Sequence, residues 1–342
     1  MYDSYYGFSE EPFRLSPDHH FAYQHRGYKK ARAYMAYAFM RAEGFVMVTG
    51  RPGTGKTTLV GALVEDLAKE RVHTANLVCS QLQADDLLSM VAYEFGCDTD
   101  IRDKGQLLQF LTRQLQKWHR EGRRALLIVD EAQDLSVSAM EELRLLTNIQ
   151  VGGRPLLQIF LLGQPELREL ILSPQLEQVH QRIVAASHLQ PLEPDETETY
   201  VRHRLQTAGW RNDPEISKPV YSLIHKFSDG VPRRINLICS RLMLHGSVEQ
   251  KHRIGVEDMR SVVEELQGES LAAGANLSDH DFRIEDDWGD SPDDNADNAD
   301  NAEDGDEGTS GVTLTAVGSD TTDTDPGKSD SWRRRMRRLN RT

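Results

Sequence analysis

Three short stretches hold residue types and spacings able to handle a phosphate group. The first is Gly50-Arg51-Pro52-Gly53-Thr54-Gly55-Lys56-Thr57, followed by Thr58. Its glycines let successive backbone N–H groups turn inward around an anion. Lys56 brings a positive charge to the β- and γ-phosphates, and the Thr57 hydroxyl is a ligand for Mg2+. The second is ALLIVDEAQDL, an apolar run ending in Asp130 and Glu131. At a strand tip, Asp130 is expected to hold Mg2+ through water and Glu131 to polarise an attacking water. The third is LLQIFLLG, which delivers Gln164 to the tip of the next strand, within reach of a γ-phosphate or the water. Asn148, ahead of that strand, is a second candidate for the same role. Two arginines complete the set. Arg233, preferred to Arg234, opens a helix after Gly230 and faces a γ-phosphate across a cleft. Arg182 lies just before the fifth strand, where an arginine reaches a neighbouring subunit's nucleotide as a finger. Each also has a plainer reading, as a capping polar group or a surface arginine in a local ion pair.

These residues need a scaffold, and the hydrophobic pattern supplies one. Strands are expected over Phe45–Gly50, Val72–Ser80, Ala125–Glu131, Leu156–Gly163 and Ala186–Leu192, with helices between them, such as Lys56–Glu70 and Ser138–Thr147. Several strands are nearly continuous in apolar residues, as strands covered on both faces are. Alternating β and α units predict a parallel five-stranded sheet flanked by helices, an α/β fold of the phosphate-loop type. In chain order Val72–Ser80 falls between the loop strand and the Asp130 strand. It is therefore expected to separate the two nucleotide-binding strands, and with Glu131 beside Asp130 this resembles the ASCE branch of phosphate-loop ATPases, unlike the small GTPases. The chain contains no NKxD guanine signature, which favours ATP.

Residues 1–44 read as an N-terminal segment, aromatic at first and helical from about 27 to 42, and residues 45–192 as the nucleotide-binding domain. After Leu192 the strand signals stop. Asp195–Ala208, Ile216–Phe227, Pro232–His245 and Val256–Leu266 read as the helices of a small α-helical lid over residues 193–268. Residues 269–342 are acidic, repetitive and poor in apolar residues, and read as a disordered tail. It ends in SWRRRMRRLNRT, whose six arginines interleave with Trp332, Met336 and Leu339. That end suits a solvated tail, an anionic membrane surface or partner, or nucleic acid.

Charge and cysteine usage exclude several classes. The chain carries a net −14, but residues 271–342 hold 18 Asp+Glu against 8 Lys+Arg, which leaves only −4 to the first 270 residues. Overall charge gives no support for nucleic-acid binding. Three cysteines, Cys79, Cys97 and Cys239, form neither a disulfide framework nor a zinc signature, as in a cytosolic protein. The N-terminus lacks the apolar core of a signal peptide, and the longest apolar runs fall far short of the roughly 20 residues that span a bilayer. A cytoplasmic chain is expected, attached to a membrane only through a partner or its basic C-terminal end.

Taken together, the phosphate loop, the DEAQ box, the strand-tip Gln164 and the GVPR at the head of a helical lid resemble an AAA+ ATPase. The similarity is greater to the ExeA/GspA-like ATPases of bacterial secretion systems. YYGFSEEPFRLSPDHHF, LLGQPEL, HQRI and LQPLEPDETETYVRHRLQTAG resemble that family's blocks across residues 1–268. The resemblance implies ATP and Mg2+ as cofactors and a phosphate loop of Gly50–Thr58 with Lys56 and Thr57 in contact with phosphate and metal. It makes Gln164 the first sensor, Arg233 the second and Arg182 the finger, with residues Phe13 to Tyr23 enclosing the adenine. It also implies a homo-oligomer and an inner-membrane or export-system protein partner. The longer secretion ATPases continue into a transmembrane helix and a peptidoglycan-binding domain. Neither is seen here, so cell-wall binding is not carried over. The size resembles shorter members associated with exosortase/PEP-CTERM and exopolysaccharide export loci. Two other functions compete: a DNA-transaction ATPase of the transposition target-selector type, and a nucleotide-dependent switch with negligible turnover.

Overall fold

The computed structural model describes residues 2–16, 20–41, 44–68, 71–78, 83–97, 103–269 and 278–288. The chain opens with α1 (Tyr2–Tyr6) and α2 (Arg26–Arg41), then β1 (Phe45–Gly50) and α3 (Lys56–Ala68). Next come β2 (Val72–Val78), α4 (Ala84–Glu94), α5 (Lys104–Arg120), β3 (Arg124–Asp130) and α6 (Val137–Leu146). A short hairpin, β4 (Gln150–Val151) and β5 (Arg154–Pro155), precedes β6 (Leu157–Gly163). Then follow α7 (Pro165–Leu172), α8 (Glu177–His180) and β7 (Ile183–Leu189). The remaining elements are α9 (Pro194–Thr207), β8 (Glu215–Ile216), α10 (Lys218–Ser228), α11 (Pro232–Val248), β9 (Arg253–Ile254) and α12 (Val256–Gly268).

β2, β3, β6, β1 and β7 form one parallel sheet in that spatial order. β1, β3 and β6 are buried almost throughout because helices cover both faces. One layer packs α4, α5, α6 and α7 on Phe45, Met47, Leu127, Val129, Ile159 and Leu161. The other packs α2 and α3 on Val46, Val48, Leu126, Ile128, Phe160 and Leu162. The sheet does place one strand between β1 and β3, but that strand is β6, and β2 lies at the edge. Order along the chain does not give order in the sheet, because each crossover helix returns the chain to either side of a strand already laid down. The fifth strand also begins earlier than expected, at Ile183, so Arg182 immediately precedes it. The hairpin turns through Gly152-Gly153, both at positive φ, a two-residue turn signature that the apolar-run reading passed over.

The lid gathers α9 to α12 around Val201, Leu205, Ile224, Phe227, Ile235, Leu242 and Val263. The N-terminal segment belongs to the same core through Tyr2, Tyr6, Phe8, Phe13 and Phe21. The lid is not purely helical, since β8 and β9 make a two-residue parallel pair. Residues 1–291 form one compact unit. Within the span expected to be a disordered tail, residues 278–288 are folded onto the lid. Phe282 is 6% exposed and stacks on Phe227 at 5.7 Å. The Asp286 carboxylate accepts the Val256 N–H at 2.9 Å, an anion at the N-terminus of α12. The Asp287 N–H donates to Ser217 Oγ at 3.0 Å beside the start of α10, and Lys226 pairs with Asp281. Sparse apolar residues made this stretch read as unfoldable, yet one phenylalanine, the Asp281 and Asp286 carboxylates and the Asp287 N–H dock it. The Arg-rich end lies outside the described residues.

Candidate functional site: a phosphate loop under a helical lid

β1 ends at Gly50, where the chain must pass tightly between its own turn and β7. A Cβ there would meet Thr54 Oγ1 at 2.7 Å and the Leu189 carbonyl oxygen at 2.9 Å. Gly53 and Gly55 have φ of +81° and +93°, the left-handed region that lets the loop curl back over its own N–H groups. α3 then starts at Lys56, so its positive end faces the loop's concave side. Lys56 is 6% exposed, and its Nζ donates to the Gly50 carbonyl at 2.9 Å and the Arg51 carbonyl at 3.4 Å. Burial pulls its ammonium below the ordinary lysine range, against the opposing pull of the Glu131 and Asp130 carboxylates.

Thr57 and Asp130, the two residues expected at a metal, are brought together. Thr57 Oγ1 donates to Asp130 Oδ2 at 2.9 Å, which joins the end of the loop to the tip of β3. The other Asp130 oxygen accepts the Glu131 N–H at 2.9 Å. These hard oxygens side by side suit Mg2+, which takes one or two protein oxygens and completes its shell with phosphate and water. Among the described residues no cluster of three or more His, Cys, Asp or Glu could hold a metal by itself.

Glu131 sits at φ +52°, ψ +40°, a conformation rare outside glycine, asparagine and aspartate. Its carboxylate is held there by two amides. Gln133 Nε2 donates to Glu131 Oε2 at 2.9 Å, and Gln164 Nε2 approaches the same oxygen at 3.5 Å. Gln133 Oε1 in turn accepts the Gln164 N–H at 3.0 Å. The Gln133 amide thus bridges β3 to the tip of β6, and Gly163 leaves it the room, since a Cβ there would stand 2.6 Å from Gln133 Oε1. Gln133 was missed as a site residue, although its place two residues after Glu131 in a short helical turn was the available signal. Asn148 is not part of this group; its Oδ1 accepts from Arg182 Nη1 at 2.7 Å.

Opposite the loop stands the lid. Leu192 N–H donates to the Gly230 carbonyl at 2.8 Å, and Arg233 N–H donates to the Gly53 carbonyl at 3.2 Å. The first turn of α11 therefore rests directly on the phosphate loop. Arg233 lines the cleft, whereas Arg234 turns away to Asp229 at 2.6 Å. The cleft between them has a volume of 510 Å³, a size that suits a nucleotide. Its far end is walled by Phe21, Tyr23 and Tyr28 from the N-terminal segment and by Tyr200, Arg204 and Asn236 from the lid. The last three were not singled out from sequence. Arg204 Nε donates to the Pro12 carbonyl at 2.5 Å and Nη1 to Tyr200 Oη at 3.0 Å, with the guanidinium 4.8 Å over the Phe21 ring. Tyr200 donates to Asn236 Oδ1 at 2.8 Å, and Asn236 Nδ2 to the Arg14 carbonyl at 3.2 Å. This network ties the aromatic wall to the lid. Asn236 lies one turn after Arg233 on α11, the face that already pointed at the cleft.

Arg182 is elsewhere. It lies just before β7, and its Nη1 donates to Thr147 Oγ1 at 2.8 Å and to Asn148 Oδ1 at 2.7 Å. Gly50 pairs with Leu189 at the far end of that strand. Seven residues at about 3.3 Å each put Arg182 about 23 Å from the end of that strand beside its own phosphate loop.

Sequence relatives agree with this geometry. The AAA domain family matches residues 40–171. General secretion pathway protein A of Aeromonas hydrophila is 37% identical over 270 residues, 78% of this chain and 49% of that protein. This is a GspA-like AAA+ module. The chain spans about half the length of that relative. ATP-dependent target DNA activator B of Escherichia phage Mu is 35% identical over 112 residues, 30% of this chain and 31% of its own. Among solved structures, Cdc6p from Pyrobaculum aerophilum superposes with a TM-score of 0.58 at 16% identity, covering 80% of this chain and 72% of that one. It shares the AAA+ fold. Among the described residues of this module no helix is long and apolar enough to cross a membrane.

Proposed function

We propose that this AAA+ module binds ATP with Mg2+ in the cleft between sheet and lid, hydrolyses it, and uses the cycle to assemble or regulate a bacterial envelope secretion or exopolysaccharide export system. The observation that carries the reading is the closed set of contacts joining Thr57, Asp130, Glu131, Gln133 and Gln164 at the mouth of the Lys56 loop. A pure binding site has no need of a carboxylate held in a strained backbone by two amides.

The chain's own groups divide the work. Loop N–H groups and Lys56 hold the β- and γ-phosphates, and Thr57 and Asp130 hold the metal. Held by the Thr57 hydroxyl and the Asp130 carboxylate, Mg2+ would supply positive charge against the phosphates. Glu131, fixed by Gln133 and Gln164, orients the attacking water and accepts its proton. Arg233 senses the γ-phosphate from the lid, and its N–H bond to Gly53 transmits that state to α11. Arg182, too far to serve its own loop, completes a neighbour's site in a homo-oligomer. Nucleotide-dependent closure of the lid changes the oligomer and its grip on an inner-membrane or export-system partner, with the protein cytoplasmic or peripheral at that membrane.

The 35% identity to a phage ATP-dependent target DNA activator over 112 residues favours one second reading, an ATPase acting on DNA. Turnover measured against protein concentration, with and without DNA, separates the two. The export reading expects specific activity that rises with concentration, falls in Glu131→Gln and Arg182→Ala, and ignores DNA. Strong stimulation by DNA overturns it.

A further inference from the structure

Residues 278–288 lie on the lid as a bound peptide lies on its receptor. Beyond a single short turn over Asp279–Phe282 they form no element of their own, and the groups that hold them belong to the lid. They bury Phe282 against Phe227 in the last turn of α10, where Lys226 also pairs with Asp281. At the start of α10, Ser217 is fully buried in the capping position, yet its hydroxyl does not cap its own helix. That hydroxyl accepts the Asp287 N–H at 3.0 Å, and the Lys218 N–H donates to the Asp287 carbonyl at 2.9 Å. At the start of α12, the Val256 N–H donates to the Asp286 carboxylate, and a Cβ on Gly255 would collide with that carboxylate. Lys218 Nζ pairs with the Asp287 carboxylate at 3.1 Å, and Arg253 lies over the Trp288 ring at 5.4 Å. Two helix starts thus each spend a first-turn N–H on the segment, which carries five acids against one arginine and meets three lid cations.

We propose that this face of the lid, spanning α10 and the start of α12, is a docking site for an acidic linear peptide of another protein. Residues 278–288 fill it in cis until such a peptide replaces them. The peptide that fits has an aromatic residue, an acid just before it, and two acids four and five positions after it. Asp281, Phe282, Asp286 and Asp287 stand in that pattern here. An aromatic anchor in an apolar seat supplies most of the affinity of such a contact. Carboxylates at a helix start and beside lysines fix its register. The lid reads the segment through backbone N–H groups, a buried hydroxyl and lysines, and any chain with the same spacing offers these the same partners. The segment joins Glu269 through residues 270–277. A tether of that length supplies an effective concentration of about a millimolar, so a peptide of micromolar affinity displaces the segment once it is locally concentrated or makes further contacts. The site stands whether or not the chain hydrolyses ATP. Within the function proposed above, it gives an export-system partner its place to take hold.

The test is fluorescence anisotropy of a labelled synthetic peptide, SDHDFRIEDDW, titrated with the full chain in the absence of nucleotide. Phe282→Ala empties the site, and Asp286→Ala, at an exposed side chain, loosens the same segment with less risk to the fold. Phe282→Ala is expected to bind one peptide per chain. Wild type should bind at least about 10-fold more weakly, because its own segment competes. The peptide with alanine in place of phenylalanine should bind about 30-fold more weakly or worse, the scale of losing an aromatic anchor. Lys226→Glu added to Phe282→Ala should also weaken binding, by about 10-fold. A second peptide keeps only the groups matching Asp281, Phe282, Asp286, Asp287 and Trp288 and carries alanine elsewhere. It should bind within about 10-fold of the first. The proposal is overturned if neither Phe282→Ala nor Asp286→Ala gains binding over wild type, if loss of the peptide's phenylalanine has no effect, or if the second peptide fails to bind. It is equally overturned if wild type forms a concentration-dependent dimer that Phe282→Ala abolishes, which would give the site to the same segment of a second copy. Loss of ATP binding or turnover would refute the ATPase reading and leave each of these outcomes readable.

Discussion

Replacing Gly53 by alanine separates two costs that the phosphate loop keeps apart. Gly53 and Gly55 both sit at left-handed φ, so alanine at either position adds about 1–2 kcal/mol of backbone strain. Their surroundings differ. A Cβ on Gly55 meets nothing within 4 Å, whereas one on Gly53 meets Arg233 Cβ at 2.6 Å and Val231 Cγ1 at 3.3 Å. Those atoms belong to the start of α11, which the Arg233 N–H bond holds on the loop. The added methyl must push the lid away, and such overpacking costs about 1–3 kcal/mol more. Gly53→Ala should therefore unfold at a temperature lower than Gly55→Ala by about 2–4 °C for each extra kcal/mol. Thermal unfolding without nucleotide is the assay, because a bound phosphate would itself contact a methyl at Gly55. Arg233→Gly removes the clashing Cβ, so the double variant should recover about 1 kcal/mol relative to additivity. Equal losses at Gly53 and Gly55, or strict additivity with Arg233→Gly, would refute the claim that lid and loop are in direct contact.

Other expectations follow from the same contacts. Gln133→Leu removes one charge-assisted bond to Glu131 and should cut turnover about 10- to 100-fold while nucleotide affinity changes little. A parallel loss of affinity would mean that Gln133 supports the loop and not the carboxylate. Phe282→Ala should cost about 3 kcal/mol at the docked segment, read as faster amide exchange in residues 278–288 and at the start of α12, with the sheet unaffected. For pH, burial lowers the proton affinity of His25, His73, His188 and His203. The unfolded chain then binds more protons than the fold below the ordinary histidine value of about 6.5. Stability is full above that pH and should fall as pH drops through the lowered folded values. His25→Gln should flatten part of that slope, measured as unfolding midpoint against pH.

How much of this could be read without coordinates depended on how local each cause was. The loop, Asp130 and Glu131 were legible because their chemistry needs a few residues in a fixed spacing on a strand tip. Strand order was not, because nothing in Val72–Val78 says whether it falls inside or at the edge of the sheet. Gln133 was hidden in plain view, since its role requires the tip of β6 to come to 3.0 Å from a side chain 31 residues earlier. Arg204, Tyr200 and Asn236 read as ordinary lid-helix residues. They wall the cleft only because the N-terminal segment folds back across the lid and offers the Pro12 and Arg14 carbonyls. The docked segment 278–288 was lost to composition. Windowed averages see its acids, while the fold uses them singly, Asp286 at the start of α12 and Asp281 against Lys226 of α10.

The account stands or falls on the cleft holding ATP through Lys56. An equilibrium titration of ATP with Mg2+ against the full chain and its Lys56→Ala variant tests that directly. The account predicts one saturable site per chain and a loss of affinity of about 100-fold or more in Lys56→Ala, the scale of a buried cation leaving a phosphate. No saturable binding by wild type, or equal binding by both proteins, would contradict it.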